Sequence, residues 1–385
     1  MSHAPPKSRR SADVARAHAA PGNGSAVERV LFVTGQVLDD SFGHGALRLA
    51  RELRRRGKDV GLLCGGGPLV DAFRRIGIEP VVAEALHSRG RPLWAPRRVA
   101  ASVAGFRPQL IHVFGRSLAA WGRQLSRALD CPYVLTVMTL APRRRHRVRG
   151  DWSRGSVLVL SEGLREQLVN QSRIPKAVIG VVPFGIALDE YEAYRGTERH
   201  DRVPVVGMVG PLLRERGAEV FLHAARHILD GGHEAHFLVA GDGPDRRRLR
   251  RLATQLELRP AVTLVHDFAD YRRMLAVLDV CVFPDLREGL SLNVIEAMAC
   301  GKPVVASGIG SVYSIVDDGK TGLLAPPGDA AGLAEKILRL MDDRALARRI
   351  AEAAYEQVRE RFSVRASVGR LLEFYSECTH RVENA

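Results

Sequence analysis

What most constrains this chain is a rhythm that occurs twice: short, continuously apolar runs alternate with segments of helical periodicity. Residues 29–34 (RVLFVT) read as a buried strand. A polar, glycine-bearing loop is expected over residues 35–45, and residues 46–56 then carry Leu47, Ala50 and Leu53 at helical spacing until Gly57 stops them. Residues 59–63, 78–82, 109–114, 132–137, 156–160 and 178–182 are further expected strands, with helices at 69–76, 117–129 and 162–170. Residues 185–204, polar and broken by Gly196 and Pro204, read as a linker. The rhythm then resumes with strands at 205–209, 237–240, 262–265, 280–283 and 303–306, and helices at 219–230, 246–256, 271–278 and 293–299. Helices at 330–342 and 345–361 and an amphipathic segment at 364–375 close the chain. Strands without a polar face need helices on both sides of the sheet, so the pattern predicts parallel sheets and an α/β class. Two doubly wound, Rossmann-like domains in tandem are the simplest account. Such sheets bind ligands beyond the carboxyl ends of their strands, so the site is expected in the cleft that the two domains face.

Composition narrows the function. The 385 residues suffice for two domains of about 180 residues each. No apolar run reaches the roughly 18 residues a membrane span needs. Residues 1–27, rich in Ala, Pro, Gly, Ser and Arg, lack the apolar core of a signal peptide and read as a disordered tail. Cys64, Cys131, Cys281, Cys300 and Cys378 are scattered without a CxxC pair, which points away from a zinc site or disulfide framework and towards a reducing cytoplasm. The net charge of +14 is one-sided: residues 1–190 hold 30 Lys/Arg against 15 Asp/Glu, residues 191–385 hold 27 against 28. The first half therefore either meets an anion (nucleic acid, lipid headgroup or phosphorylated acceptor) or carries a solvated basic surface. Nucleic acid is disfavoured, because no recognisable module is present and aromatics are not interleaved with the basic residues. The loop GQVLDDSFGHG does not spell the dinucleotide fingerprint GxGxxG. No Ser-His-Asp or Cys-His arrangement offers another chemistry.

The most informative stretch is residues 288–329, EGLSLNVIEAMACGKPVVASGIGSVYSIVDDGKTGLLAPPGD. Glu288 falls in the loop after a strand, and Glu296, eight residues on, falls in the next helix. Gly289, Leu290, Ser291 and Leu292 would present backbone N–H groups at that helix start, a ready site for phosphate oxygens. Gly289 lets the backbone approach a ligand closely. Glu296 is suited to accept from a ribose diol, and Glu288 from sugar hydroxyls. Two glutamates alone read equally as a structural loop and a surface helix.

The whole stretch in order resembles the donor-binding signature of the retaining GT-B glycosyltransferases of family 4. They show an E-G-F-G-like loop, two glutamates separated by seven residues, E-A-M-A-x-G-x-P-V-V-A, and a late T-G-L-L-x-x-P-G-D. The likeness extends to residues 237–244 (FLVAGDGP), which with Gly241 and Asp242 look like the turn below the nucleotide base. It also takes in 181–189 (VVPFGIALD, with Phe184 for the usual Asn), 361–375 as the crossover helix, and 43–57 as the first glycine loop and helix. Gly43, His44 and Gly45 would then lie on the acceptor side, with His44 either facing the cleft or a plain loop residue.

The resemblance implies a GT-B fold with a tail at 1–27, an acceptor-side domain at 28–190, a nucleotide-sugar domain at 203–361 and a returning helix at 362–380. It implies transfer of a sugar from a UDP- or GDP-linked donor, with retention and without cofactor or metal, in cell-surface polysaccharide or glycolipid synthesis. The acceptor would be a sugar, a lipid-linked molecule or another small molecule. Cations must then neutralise the leaving diphosphate. In GPLLRERG (residues 210–217, opening on Gly210), Arg216 stands where the family has Lys and assists departure, with attack from the same face. Pro211 stands where the family has Arg, and Arg214 is either a substitute or a solvated loop residue. His112 is a candidate catalytic residue or a hydrogen-bonded strand-end histidine, and Phe114 follows where the family often has a second His. Pro211, Phe114 and Met138, the last standing where the family's T-V-H strand end has His, also fit a nucleotide-sugar-binding protein that has lost turnover.

The loop 143–149 (RRRHRVR) holds Arg143, Arg144 and Arg145. It is expected to meet an anionic membrane surface or a lipid-linked acceptor, which would make the protein peripheral on the inner face of the cytoplasmic membrane. The alternative is a solvated loop, which is also the reading of residues 246–251 (RRRLRR).

Overall fold

The structure, a computed structural model, describes residues 27–38, 41–86, 95–138, 151–172, 174–183, 185–195, 203–266, 270–287 and 292–384. The glutamate and loop at 288–291, the arginines at 143–145 and nearly all of the N-terminal tail lie outside the described residues.

The first sheet holds β1 (Arg29–Thr34), β2 (Asp59–Cys64), β3 (Pro80–Val82), β4 (Leu110–Phe114), β5 (Tyr133–Val137), β6 (Gly155–Val159) and β7 (Ile179–Val181). The second holds β8 (Val205–Val209), β9 (His236–Ala240), β10 (Val262–Val265), β11 (Val280–Phe283), β12 (Val304–Ser307) and β13 (Leu323–Ala325). All described pairings are parallel, in the orders β3-β2-β1-β4-β5-β6-β7 and β10-β9-β8-β11-β12-β13. Each is the doubly wound order, which reverses between β1 and β4 in one sheet and between β8 and β11 in the other. The central strands explain why: every residue of β4, β5, β6, β11 and β12 is buried, so both faces are covered. Among the described residues no helix is long and apolar enough to cross a membrane. All five cysteines are free and buried.

Three local readings change. The helix of the first glycine loop runs Ser41–Arg55, so Gly43, His44 and Gly45 stand in its first turns rather than in a loop. Glycine serves close approach there: a Cβ on Gly43 would lie 2.0 Å from the Leu38 carbonyl oxygen. The helix Ala95–Val103 and the three-residue strand β13 escaped the pattern, the strand because three residues give no period. The stretch expected to be a linker is folded at its start: Tyr191 is buried, and Ile186 and Tyr191 pack in the core of the second domain.

The chain returns to the first domain at its end. Ser363 caps the helix Val364–Glu383, its Oγ accepting from the Ala366 N–H at 3.2 Å. Val368, Leu371, Phe374, Tyr375 and Cys378 of that helix join the core beneath the first sheet. There the Tyr375 hydroxyl lies 2.5 Å from His112 Nδ1, and Thr136 Oγ1 lies 2.6 Å from His112 Nε2. His112 is fully buried and stacks on Phe114 with centroids 4.1 Å apart. Burial holds its imidazole down at about 3, so the ring is neutral. The expectation of a catalytic His112 is therefore corrected: it is a packed strand histidine that does not reach the cleft.

Removing the Tyr375 hydroxyl leaves a buried ring nitrogen unpaired. Tyr375→Phe should cost about 1–3 kcal/mol in chemical denaturation. A second test follows from the depressed folded pKa. The contribution of His112 to stability is complete above its ordinary value of 6.5 and is lost as pH falls towards 3. The slope is up to about 1.4 kcal/mol per pH unit. His112→Asn should flatten that stretch of the stability curve; an unchanged slope would show that another group produces it.

Candidate functional site

Between the carboxyl edges of the two sheets lies a cleft of about 1680 Å³. Its second-domain wall is built at the switch point. Gly210 and Gly241 directly follow β8 and β9, and a Cβ on Gly241 would stand 1.8 Å from the Gly210 carbonyl oxygen. The two strand-end turns therefore touch, which exposes the ends of both strands to the cleft. Gly217 (φ +69°) does the same between β8 and β11, since a Cβ there would fall 1.8 Å from the Pro284 oxygen. That contact sets Arg216 beside Asp285, with Nη1 donating to Oδ1 at 3.1 Å. Burial raises the Asp285 carboxyl and Arg216 pulls it back.

The helix Leu292–Ala299 starts at the same wall, and Leu292, Asn293 and Glu296 line the cleft. Glu296 is half-buried in the cleft wall, and desolvation lifts its carboxyl above the ordinary range, opposed by the Tyr191 hydroxyl, Arg48 and Arg272. The Tyr191 hydroxyl donates to its Oε1 at 2.8 Å.

A chain of ions crosses from one domain to the other. Arg48, on the helix Ser41–Arg55, stands 3.8 Å from Glu190, which lies 3.2 Å from Arg272. Arg272 also meets Asp270 at 3.2 Å, and Tyr194 donates to the other Asp270 oxygen at 2.7 Å. Partly exposed pairs of this kind are worth about 1 kcal/mol or less each, so they align the walls more than they bind them together.

The structure thus brings Gly210, Arg216, Gly241, Asp242, Leu292 and Glu296 to one wall and His44 to the other. It does not bring Arg214, which is exposed outside the cleft. Gly43 and Gly45 are buried inside their helix. Met138 and Pro211 do line the cleft. Sequence reasoning missed Tyr191, which sat in a supposed linker, and the Asp270–Arg272 run, whose one signal was its place after β10. It also missed Arg48 and Arg51, whose signal was i, i+4, i+7 spacing from His44. Among the described residues no three His, Cys, Asp or Glu side chains converge as a metal ion would require. A recessed carboxylate and a guanidinium beside a helix start are suited to hold a polyol that carries an anionic group.

Comparison with known proteins agrees with this geometry. Residues 43–190 match the model described as Glycosyltransferase Family 4, and residues 191–357 the model described as Glycosyl transferases group 1. The chain is 30% identical over 246 residues to an alpha-D-kanosaminyltransferase of Streptomyces kanamyceticus, 60% of this chain and 62% of that one. The first curated relatives are matched over about three fifths of their length, 58–62%. Among solved structures, a glycosyltransferase of Rickettsia africae superposes with a TM-score of 0.76 at 18% identity, covering 90% of this chain and 98% of that one. The Anabaena protein HepE in complex with UDP gives 0.75 at 18%, covering 91% and 100%. With two contiguous family models spanning the chain from the first cleft helix to the end of the second domain, on a GT-B architecture, the protein belongs to the group 1 glycosyltransferase family.

Proposed function

We propose that the cleft binds a UDP- or GDP-sugar against the second domain and transfers the sugar, with retention, to an acceptor held by the first. The observation that carries this reading is Glu296, a desolvated carboxylate facing the cleft at the switch point, on the same wall as Arg216. In this reading Glu296 accepts from the ribose hydroxyls, and Arg216 neutralises the diphosphate as it leaves. The bond from the anomeric carbon to the diphosphate oxygen breaks. The bond to the acceptor hydroxyl oxygen forms on the same face, and the hydroxyl proton departs with the diphosphate. Glu288 is assigned to the sugar hydroxyls, and the backbone of Gly289, Leu290 and Ser291 to the phosphates. Work on an envelope polysaccharide or glycolipid, with Arg143, Arg144 and Arg145 resting on an anionic membrane, belongs to the same proposal.

One observation favours a second reading. Pro211, without charge, lines the cleft where the family resemblance implies a cation. A protein that binds a nucleotide sugar without turning it over is consistent with that.

Thermal unfolding with a panel of nucleotide sugars separates the outcomes. A donor at about 100 times its dissociation constant should add roughly 2.7 kcal/mol. Stabilisation with release of the nucleoside diphosphate identifies the enzyme, and stabilisation without release the binder. No shift with any UDP- or GDP-sugar contradicts both.

Glu296→Gln keeps the side-chain volume and removes the charge. It should weaken nucleotide binding by about 1.5–3 kcal/mol, read by calorimetry. The parent's affinity should fall as pH drops through the raised range of the Glu296 carboxyl, since only the ionised form accepts from both ribose hydroxyls. In Glu296→Gln that dependence should vanish. Equal affinity and the same pH profile in both proteins would move the ribose elsewhere.

A further inference from the structure

The first-domain wall of the cleft carries more positive charge than the proposed donor uses. His44, Arg48 and Arg51 follow one another at i, i+4 and i+7 on the helix Ser41–Arg55, so they share a face, and all three line the cleft. Arg75 joins them from the end of the helix Val70–Arg75. The two helices are tied together where Arg54 Nη1 donates to the Gly77 carbonyl at 2.5 Å. Leu47, Leu69, Ala72 and Ile76 also line this wall and make it apolar between the cations.

The arginines differ in their partners. Arg48 faces Glu190, and elsewhere on the same two helices Arg56 meets Glu52, and Arg74 meets Asp71 and Glu79. Arg51 and Arg75 have no ion-pair partner among the described residues. Like charges three residues apart on a helix, as Arg48 and Arg51 are, repel unless an anion answers them. Guanidinium groups on a concave wall grip phosphate through paired N–H donors, and arginines without a carboxylate partner of their own keep those donors unspent.

We infer that the acceptor carries a phosphate group, bound by Arg51 and Arg75, with its uncharged body against Leu47, Leu69, Ala72 and Ile76. This rests on the cleft being a glycosyl-transfer site, and it assigns the acceptor a charge class. A soluble sugar phosphate and a lipid phosphate share that chemistry.

Calorimetry with UDP present tests it on the full chain. The probes are a hexose phosphate, the same hexose without phosphate, and phosphatidylcholine vesicles with and without phosphatidic acid. The parent should bind a phosphate-bearing probe in preference to its neutral counterpart. Arg51→Gln/Arg75→Gln should weaken that binding about a hundredfold or more, because two charged hydrogen bonds are lost. UDP should bind both proteins alike, which also verifies that the variant is folded. Binding of the hexose phosphate assigns a soluble acceptor, and binding of the phosphatidic acid vesicles a lipid one. Equal affinity of parent and variant overturns the inference, as does a parent that prefers neither phosphate-bearing probe. Failure of the parent to bind UDP counts against the donor reading alone, and the phosphate arms are then read without nucleotide.

Discussion

The cleft depends on one short piece of backbone pairing. The chain leaves the first domain at Gly185–Ile186 and returns at Ser363–Val364, and the two crossings are hydrogen-bonded to each other. Ile186 N–H donates to the Phe362 carbonyl at 2.9 Å, and Val364 N–H donates to the Ile186 carbonyl at 2.8 Å. A Cβ on Gly185 would lie 2.3 Å from the Val364 Cα, so the crossings touch there. Two strands clamped at one point leave few ways for the domains to move except about that point. Tyr375 on His112 and Cys378 on Ser156 then fix the returning helix to the first sheet. A buried histidine outside the cleft thus helps set the spacing of its two walls.

The same crossing explains why the residues just after it reach the cleft. Ile186 and Tyr191 are buried in the second domain, so Tyr191 is held rigidly under Glu296. The phenol donates to a carboxylate already raised by burial, and burial, helped by that carboxylate, pushes its own pKa up, so it stays a donor. The contact orients one oxygen of Glu296 without neutralising it. Glu190, the neighbour of Tyr191, reaches across to Arg48 in the first domain. One turn of chain therefore orients a cleft carboxylate and links both walls.

Much of this was legible in the sequence, and the failures have physical causes. The strands were legible because a buried parallel strand is apolar throughout, a signal independent of context. The second-domain wall was legible because Gly210, Arg216, Gly241 and Glu296 sit at strand ends and a helix start, where local sequence determines placement. Gly43 and Gly45 misled because glycine signals a loop by its freedom, whereas here one of them serves the approach of Leu38. His112 misled because a histidine at a strand end has the same sequence whether it faces a cleft or a core. Only the packing of Tyr375, 263 residues away, decides. Tyr191 was hidden by a polar neighbourhood that reads as a linker, and Arg51 and Arg75 by their abundance of basic neighbours.

The charge asymmetry acquires a location once the walls are known. Cleft-lining carboxylates, Glu190, Asp242, Asp270 and Glu296, all follow the crossing, while Arg48, Arg51 and Arg75 precede it. The second wall's own cations are tied down: Arg216 by Asp285, and Arg272 by Asp270 and Glu190. An anion entering the cleft is therefore drawn chiefly by the first wall. That attraction reaches about one Debye length, roughly 8 Å at physiological ionic strength, which makes it sensitive to how far apart the walls stand. Pro211 removes one more cation from the second wall and sharpens the contrast. Any diphosphate held there gains most when the walls are near, so the spacing set by the Ile186–Ser363 pairing is also an electrostatic setting.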